Sequence, residues 1–162
     1  MCYYKKYERG QTTTMNYKEF REKTQKDVNE FITNYCFIAF GQKQFDEQSN
    51  IYFKKHNTSL EQLREQQQKL IHIGGGIYML HKFYNEQWEQ MSNEHHKLFV
   101  DNIESNKTNL INAFIYELNN HEFSYTQDPT DAVLSLGYSL QEIQSNKYLN
   151  DCLNSAIDEI NH

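Results

Sequence analysis

The chain has 162 residues, with 22 Asp and Glu against 16 Lys and Arg, and a formal net charge of −6. That length suits one ordinary domain, able to bury a core without disulfide or metal staples. One Pro and six Gly argue against a linker-rich chain or a turn-rich β-sandwich, and no run approaches the roughly 20 apolar residues of a membrane span. Leu, Ile, Val and Phe supply only 37 residues, so the ten Phe and twelve Tyr must carry much of the core. Asn and Gln add 31 residues and explain a mean hydropathy of −0.89 without disorder.

Residues 1–14 end in an aperiodic Gly10-Gln-Thr-Thr-Thr14. They read as a disordered tail or upstream extension of a protein starting at Met15, with residues 15–162 forming a single mostly helical domain. The spacing of Tyr17, Phe20, Thr24, Val28, Phe31 and Ile32 predicts a helix from Tyr17 to Thr33. Asn16 and Glu19 are placed to form its capping box. Cys36-Phe-Ile-Ala-Phe40 is a buried strand or an extended loop. Gln42–Phe53 reads as a helix with Phe45 inward, and Ser59 caps another with Leu60, Leu63 and Leu70 on one side. Apolar residues flank Gly74-Gly75-Gly76, which predicts two short strands meeting at a tight bend.

The strongest periodicity runs from Leu80 to Glu104, through Tyr84, Trp88, Met91, His95, Leu98, Phe99 and Ile103. Lys107–Asn119 buries Leu110, Ala113, Phe114 and Leu118. Asp128-Pro129 starts a short helix closed by Gly137, and Ser139 with Glu142 forms a capping box for the next. Lys147–Ile160 is the last. The fold expected is mainly α, a compact single domain of about six helices with at most a minor β element near residues 36–40 and 70–79.

Charge is unevenly placed. Residues 15–79 carry a net +1, whereas residues 80–162 carry a net −9. Glu86, Glu89, Glu94, Asp101 and Glu104 on the long helix, with Asp151, Asp158 and Glu159 on the last, are candidates for a patch that meets a basic surface. Gly74, Gly75 and Gly76 lack the Lys-Ser/Thr sequel of a phosphate loop, so a sharp bend is their expected role. His121 and Glu122 sit where a helix ends; capping is expected of them, with an acid/base pair beside the glycine turn as the alternative ligand site. Lys54, Lys55, Arg64 and Lys69 are the cations available to a nucleic-acid-binding alternative, which the balanced charge of that half disfavours. Trp88, Tyr84 and Met91 read as core. Cys2, Cys36 and Cys152 form no metal or disulfide pattern and are expected to be reduced thiols in a cytoplasm. No cofactor and no metal is expected.

Three segments, Phe37-Ile-Ala-Phe40-Gly-Gln-Lys-Gln44-Phe45, Ile73-Gly-Gly-Gly76 and Phe114-Ile-Tyr-Glu-Leu-Asn-Asn-His121-Glu122, carry a resemblance. The order and spacing resemble a family of small uncharacterised proteins of bacterial mobile elements and phages, over most of Met15 to Ile160. Gly41, Leu118 and Phe123 depart from its pattern. The resemblance implies a genomic setting rather than a reaction. Together with the acidic half, it leads to the expectation of a non-enzymatic protein-binding accessory protein, of anti-CRISPR-like type, whose partner is a basic, nucleic-acid-handling host defence protein. A small enzyme or ligand-binding domain is the alternative.

Overall fold

The computed structural model describes residues 15–162; the expected tail or extension at 1–14 lies outside the described residues. The fold is mainly α with a small sheet at the two places where the sequence puts one. Helix α1 spans Tyr17–Tyr35 and is followed by β1 (Cys36–Ile38), α2 (Gln42–Lys55), α3 (Leu60–Glu65), β2 (Leu70–His72) and β3 (Ile77–Leu80). The stretch predicted as one helix from Leu80 divides into α4 (His81–Phe83), a π-helical turn (Tyr84–Trp88), α5 (Glu89–Phe99) and a second π-helical turn (Val100–Glu104). Then come α6 (Lys107–Asn120), α7 (Phe123–Thr126), α8 (Thr130–Ser135), α9 (Leu140–Ser145) and α10 (Lys147–Asn161). Contacts group residues 20–99 into one compact unit and the first turn of α1 with residues 100–162 into another.

The unit of residues 20–99 is organised by its sheet, in which β3 lies between β1 and β2, antiparallel to both. Alternation along the strands sends successive side chains to opposite faces. Phe37, Tyr78, Leu80 and Leu70 take one face, where Ala39, Tyr52, Phe53, Leu63, Phe45 and Phe83 pack against them. Cys36, Met79, Ile77 and Ile71 take the other, covered by Phe31, Ile32, Tyr35, Tyr84, Trp88 and Met91. Both faces are therefore apolar, which is why these strands read as runs rather than as an alternating pattern. Phe37, Tyr78 and His72 are register partners across the three strands, and their rings stack at 5.3 and 4.6 Å between centroids. Helix α5 runs antiparallel to α1, since Trp88 packs on Phe31, His95 bonds Asp27 and Phe99 packs on Phe20.

The bend between β2 and β3 is the predicted one. The Ile73 N–H donates to the Ile77 carbonyl and the Ile77 N–H donates to the Gly74 carbonyl, at 3.0 and 2.9 Å. All three glycines have positive φ, and at Gly76 a Cβ would lie 2.9 Å from the Ala39 carbonyl oxygen and 2.7 Å from the Phe40 ring. Two expectations need correction here. Leu70 is in β2 rather than on the helix capped by Ser59, because Gln67 turns left-handed (φ 53°) and ends α3 at Glu65; Leu60 is 46 % exposed. Leu80 pairs with Leu70 in the sheet and does not belong to the stripe of the long helix.

In the unit of residues 100–162, α6 packs against α10, α8, α7 and the π-helical turn Val100–Glu104, and α9 packs on α8 and α10. Leu110, Ala113, Phe114 and Leu118 are all buried as predicted, facing a fully covered stripe of Leu149, Cys152, Leu153 and Ala156 on α10. Local signals fix the helix ends. Asn16 and Glu19 cap α1 reciprocally at 2.9 and 3.0 Å, Ser139 and Glu142 form the capping box of α9, and Asp128 accepts the Thr130 N–H at the start of α8.

The Tyr52 hydroxyl donates to the Tyr35 carbonyl (2.8 Å) and accepts the Leu80 N–H (3.1 Å), all inside the first-described unit. We expect Tyr52→Phe to cost about 2 kcal/mol, because it leaves a buried backbone donor unsatisfied; urea denaturation at unchanged slope measures this. At the bend, Gly75→Ala should cost ~1 kcal/mol for its left-handed backbone. Gly76→Ala should cost at least twice as much, since its Cβ also meets a backbone oxygen.

Candidate functional site

The eight carboxylates singled out in the sequence divide between the two units. Glu86 on the first π-helical turn and Glu89 and Glu94 on α5 belong to the unit of residues 20–99, and all three are exposed. None forms an ion pair among the described residues; Glu94 accepts only from the Gln90 side-chain amide, at 2.9 Å. Asp101, Asp151, Asp158 and Glu159 belong to the other unit, where all four are likewise exposed. On α10 the acids lie on the side away from Leu149, Cys152, Leu153 and Ala156, because the apolar spacing of that helix turns its polar face outward.

Glu104 has a different role. It is half-buried, its carboxylate accepts the Tyr138 hydroxyl at 2.9 Å, and its carbonyl accepts the Tyr148 hydroxyl at 2.8 Å. Burial, with the Glu104 carboxylate beside it, pushes the Tyr138 hydroxyl well above the usual tyrosine range. Glu104 thus ties the end of a helical stretch to the α8–α9 connection and to α10 rather than standing free on the surface.

The alternative site divides in the same way, with Gly74, Gly75 and Gly76 in one unit and His121 and Glu122 in the other. His121 caps the C-terminus of α6, its N–H bonding to the Glu117 carbonyl at 2.9 Å. Its Nε2 lies 2.8 Å from Ser135 Oγ and 3.8 Å from a carboxylate oxygen of the fully buried Glu117. Serine, histidine and carboxylate are therefore together, but hydroxyl and carboxylate address the same ring nitrogen. A nucleophile relay needs them on opposite nitrogens, one to take the proton and the other to orient the ring. Glu122 turns left-handed (φ 55°), is exposed, and accepts the Tyr125 and Thr126 N–H groups through its carbonyl. Both residues fix the junction of α6 and α7, and Phe123 is buried beneath it.

Of the four cations, Lys55 is tied to the Thr33 carbonyl at 2.9 Å. Lys54 lines a recess of about 240 Å³ with Asn50, Phe53, Thr58, Ser59 and Leu60, and Arg64 is exposed on α3. Lys69 lines a polar recess of about 370 Å³ with Gln67, Gln68, His81, Lys82, Asn85 and Glu86. A third recess, of about 300 Å³, is walled by Tyr84, Trp88, Glu89, Ser92 and Asn93. Trp88 and Tyr84 are thus core residues on one side, as the sequence implied, and cavity walls on the other. An aromatic pair at i and i+4 followed by an acid was the signal for it.

Among the described residues no three or more His, Cys, Asp or Glu side chains are grouped to hold a metal, and no helix is long and apolar enough to cross a membrane. Burial pushes the Cys36 thiol up to about 11 and raises Cys152 as well, so neither is an activated nucleophile.

Two histidines in the unit of residues 20–99, His95 on the predicted stripe of the long helix and His56 in the stretch read as a polar loop, have surroundings that the sequence did not reveal. His95 bonds Asp27 at 2.9 Å, and Asp27, which also pairs with Lys23, is held below the usual carboxylate range, chiefly by that lysine. His56 lies between the rings of Tyr52 and Phe83, at 4.5 and 4.9 Å. Its Nε2 is buried with no partner among the described residues. Burial, then the nearby Lys55 and Lys82, hold it below the ordinary histidine range, while a bond to the Asn34 backbone opposes them. The unfolded chain therefore takes up this proton before the folded one does. Stability should fall as pH drops below about 6.5, the unfolded value, and the Asp27 contribution should be lost only below about 4. His56→Phe should flatten the upper part of that profile, as read by urea denaturation between pH 7.5 and 5.

A family model described as "Family of unknown function (DUF7659)" matches residues 16–159. No curated protein and no solved structure matches the chain. The matched span takes in the whole sheet-centred unit and the helical unit as far as residue 159, and the chain belongs to this family of unknown function.

Proposed function

We propose that the protein is a non-enzymatic protein-binding module whose exposed carboxylates dock a basic partner. The observation that carries this reading is that Glu86, Glu89, Glu94, Asp151, Asp158 and Glu159 are all exposed and none is paired with a cation of the described residues. Their charge is left for solvent or a partner. Carboxylates at intervals along helices α5 and α10 present acceptors to Lys and Arg much as phosphates do, and their summed field speeds encounter with a positive surface. The same field repels nucleic acid, so the partner is a protein rather than a phosphate backbone. In its finer form the proposal is an accessory protein of a mobile element or phage that occupies the basic nucleic-acid channel of a host defence nuclease. That form draws on the resemblance of the Phe37–Phe45, Ile73–Gly76 and Phe114–Glu122 segments.

Capture from a lysate of the source organism, eluted with rising salt and read by mass spectrometry, names the partner. The expected result is a basic protein released between low and moderate salt. The triple variants E86K/E89K/E94K and D151K/D158K/E159K test the two acidic faces separately, and at least one should weaken the purified complex tenfold or more. Unchanged affinity in both variants would remove the acidic-surface reading.

A further inference from the structure

One recess is framed by two segments of chain that the sheet holds together. Gln67, Gln68 and Lys69 form one wall, and His81, Lys82, Asn85 and Glu86 form the other, around about 370 Å³. The His81 N–H donates to the Lys69 carbonyl at 2.8 Å, one step beyond the Leu70–Leu80 register pair, so the ladder fixes the spacing of the walls. The first wall is set by a left-handed Gln67 (φ 53°) and by the Gln68 N–H, which donates to the carbonyl of the buried Leu63 at 2.8 Å. On the second wall Lys82 is half-buried, its ammonium 5.0 Å from the centroid of the Phe83 ring. Neither lysine pairs with a carboxylate among the described residues.

Two ammonium groups, an imidazole and three carboxamides make this recess rich in hydrogen-bond donors, and Glu86 is its one carboxylate. The guest it suits is an anion with several acceptor oxygens. Lysine meets such a guest as a point charge, as it does phosphate, whereas a carboxylate is best held by the arginine fork. Neither wall carries an arginine. A second observation locates positive potential at Lys82. Burial first, then Lys55 and Lys82, hold His56 below the ordinary histidine range, so Lys82 belongs to a local excess of cations. Residues 20–99 contain ten Lys and Arg and ten Asp and Glu, so this unit has no net charge to oppose an anion. The volume matches a small molecule. Glu86 repels a bare anion but accepts from a hydroxyl, which favours a guest that carries both groups.

We propose that this recess binds the phosphate monoester of a small hydroxylated molecule, with Lys69 and Lys82 on the phosphate and Glu86 on a hydroxyl. The inference goes beyond the basic-partner reading and does not depend on it, since its anchors are the two lysines.

The isotope-labelled full chain is titrated at low salt and near-neutral pH with sorbitol phosphate, sorbitol, inorganic phosphate and gluconate, and backbone amide shifts are followed by NMR. The expected result is saturable shifts at Lys69, His81, Lys82 and Asn85 with sorbitol phosphate, at least threefold tighter than inorganic phosphate. Sorbitol and gluconate should not saturate. Lys69→Gln, at an exposed position, should weaken sorbitol phosphate at least fivefold with the rest of the spectrum unchanged, and Lys82→Gln should do the same. Lys43→Gln makes the same change of charge on α2, outside the recess, and should leave the affinity unaltered. Glu86→Gln should tighten inorganic phosphate and weaken sorbitol phosphate, closing the gap between them. Wild-type affinity in Lys69→Gln, an equal loss in Lys43→Gln, or no saturable shift with sorbitol phosphate overturns the proposal. Inorganic phosphate or gluconate binding as tightly as sorbitol phosphate also overturns it, because the site then takes a bare anion or a carboxylate. The charge-reversal experiment on the captured complex is decided separately, so either reading can fail without the other.

Discussion

One hydroxyl holds together the part of the molecule that contains the sheet. Strand β1 begins where α1 ends, and β3 runs directly into α4, so the sheet is hung between two helices by backbone that has little regular pairing of its own. Tyr52 reaches from α2 to both junctions, accepting the Leu80 N–H at one and donating to the Tyr35 carbonyl at the other. Its ring also packs on Phe37, Phe53 and His56, at 5.0, 5.9 and 4.5 Å. A buried N–H and C=O that would otherwise be orphaned are thus satisfied by one amphipathic side chain. The environment leaves its mark, since burial pushes the Tyr52 hydroxyl up to about 12. Strands of three and four residues are too short to be stable alone. They persist because aromatic rings cover both faces and because this hydroxyl fixes where α2 lies.

The carboxylates follow two distinct environments, and this separates structure from candidate function better than charge counting does. Glu117 is fully buried and accepts the Tyr17 hydroxyl at 2.6 Å and the Asn120 amide at 3.3 Å. Glu104 is half-buried and bonded to Tyr138, Asp27 is bonded to Lys23 and His95, and Glu142 is spent on its own capping box. Buried or bridged carboxylates of this kind are costly to leave unpaired, so each has found partners. Glu86, Glu89 and Glu94 are exposed, where remaining without a cation costs little, and among the described residues no Lys, Arg or His pairs with them. Their clustering within about two helical turns, with Glu89 bordering a shallow polar recess, is what sets them apart from the bridged acids.

How much was legible in the sequence depends on how local each signal is. Capping at Asn16, Ser59 and Ser139, the stop at Gly137 and the bend at Gly74–Gly76 were readable because residues within four positions satisfy each other. Helix α6 and helix α10 were readable because their apolar spacing matches 3.6 residues per turn. The end of α3 was not, because Gln67 adopts the left-handed conformation that Gly or Asn usually marks. Nor were the π-helical turns, which leave an apolar stripe intact while shifting its aim. The acidic face was legible as composition, yet Glu104 could be told apart from its neighbours only once Tyr138 and Tyr148 were brought to it from 34 and 44 residues away. The Asp27–His95 bond spans 68 residues and leaves no local trace.

The π-helical turn at Tyr84–Trp88 joins these strands of argument. An ordinary helix starting at His81 would carry Tyr84, Trp88 and Met91 as a simple core stripe, and every ring would then be spent on the sheet. The wide turn lets the same residues serve two environments: Trp88 and Tyr84 still pack in the cluster around Met79, while both also border open space next to Glu89. Such a turn is less favourable than regular helix, and it persists only where surrounding packing fixes it. Here the fixing contacts are the Phe31 ring against Trp88 and the stacking of His81 with Tyr84. The sheet on one side and the exposed Glu89 on the other meet at these two aromatic residues, whose rings are spent mainly on the cluster around Met79.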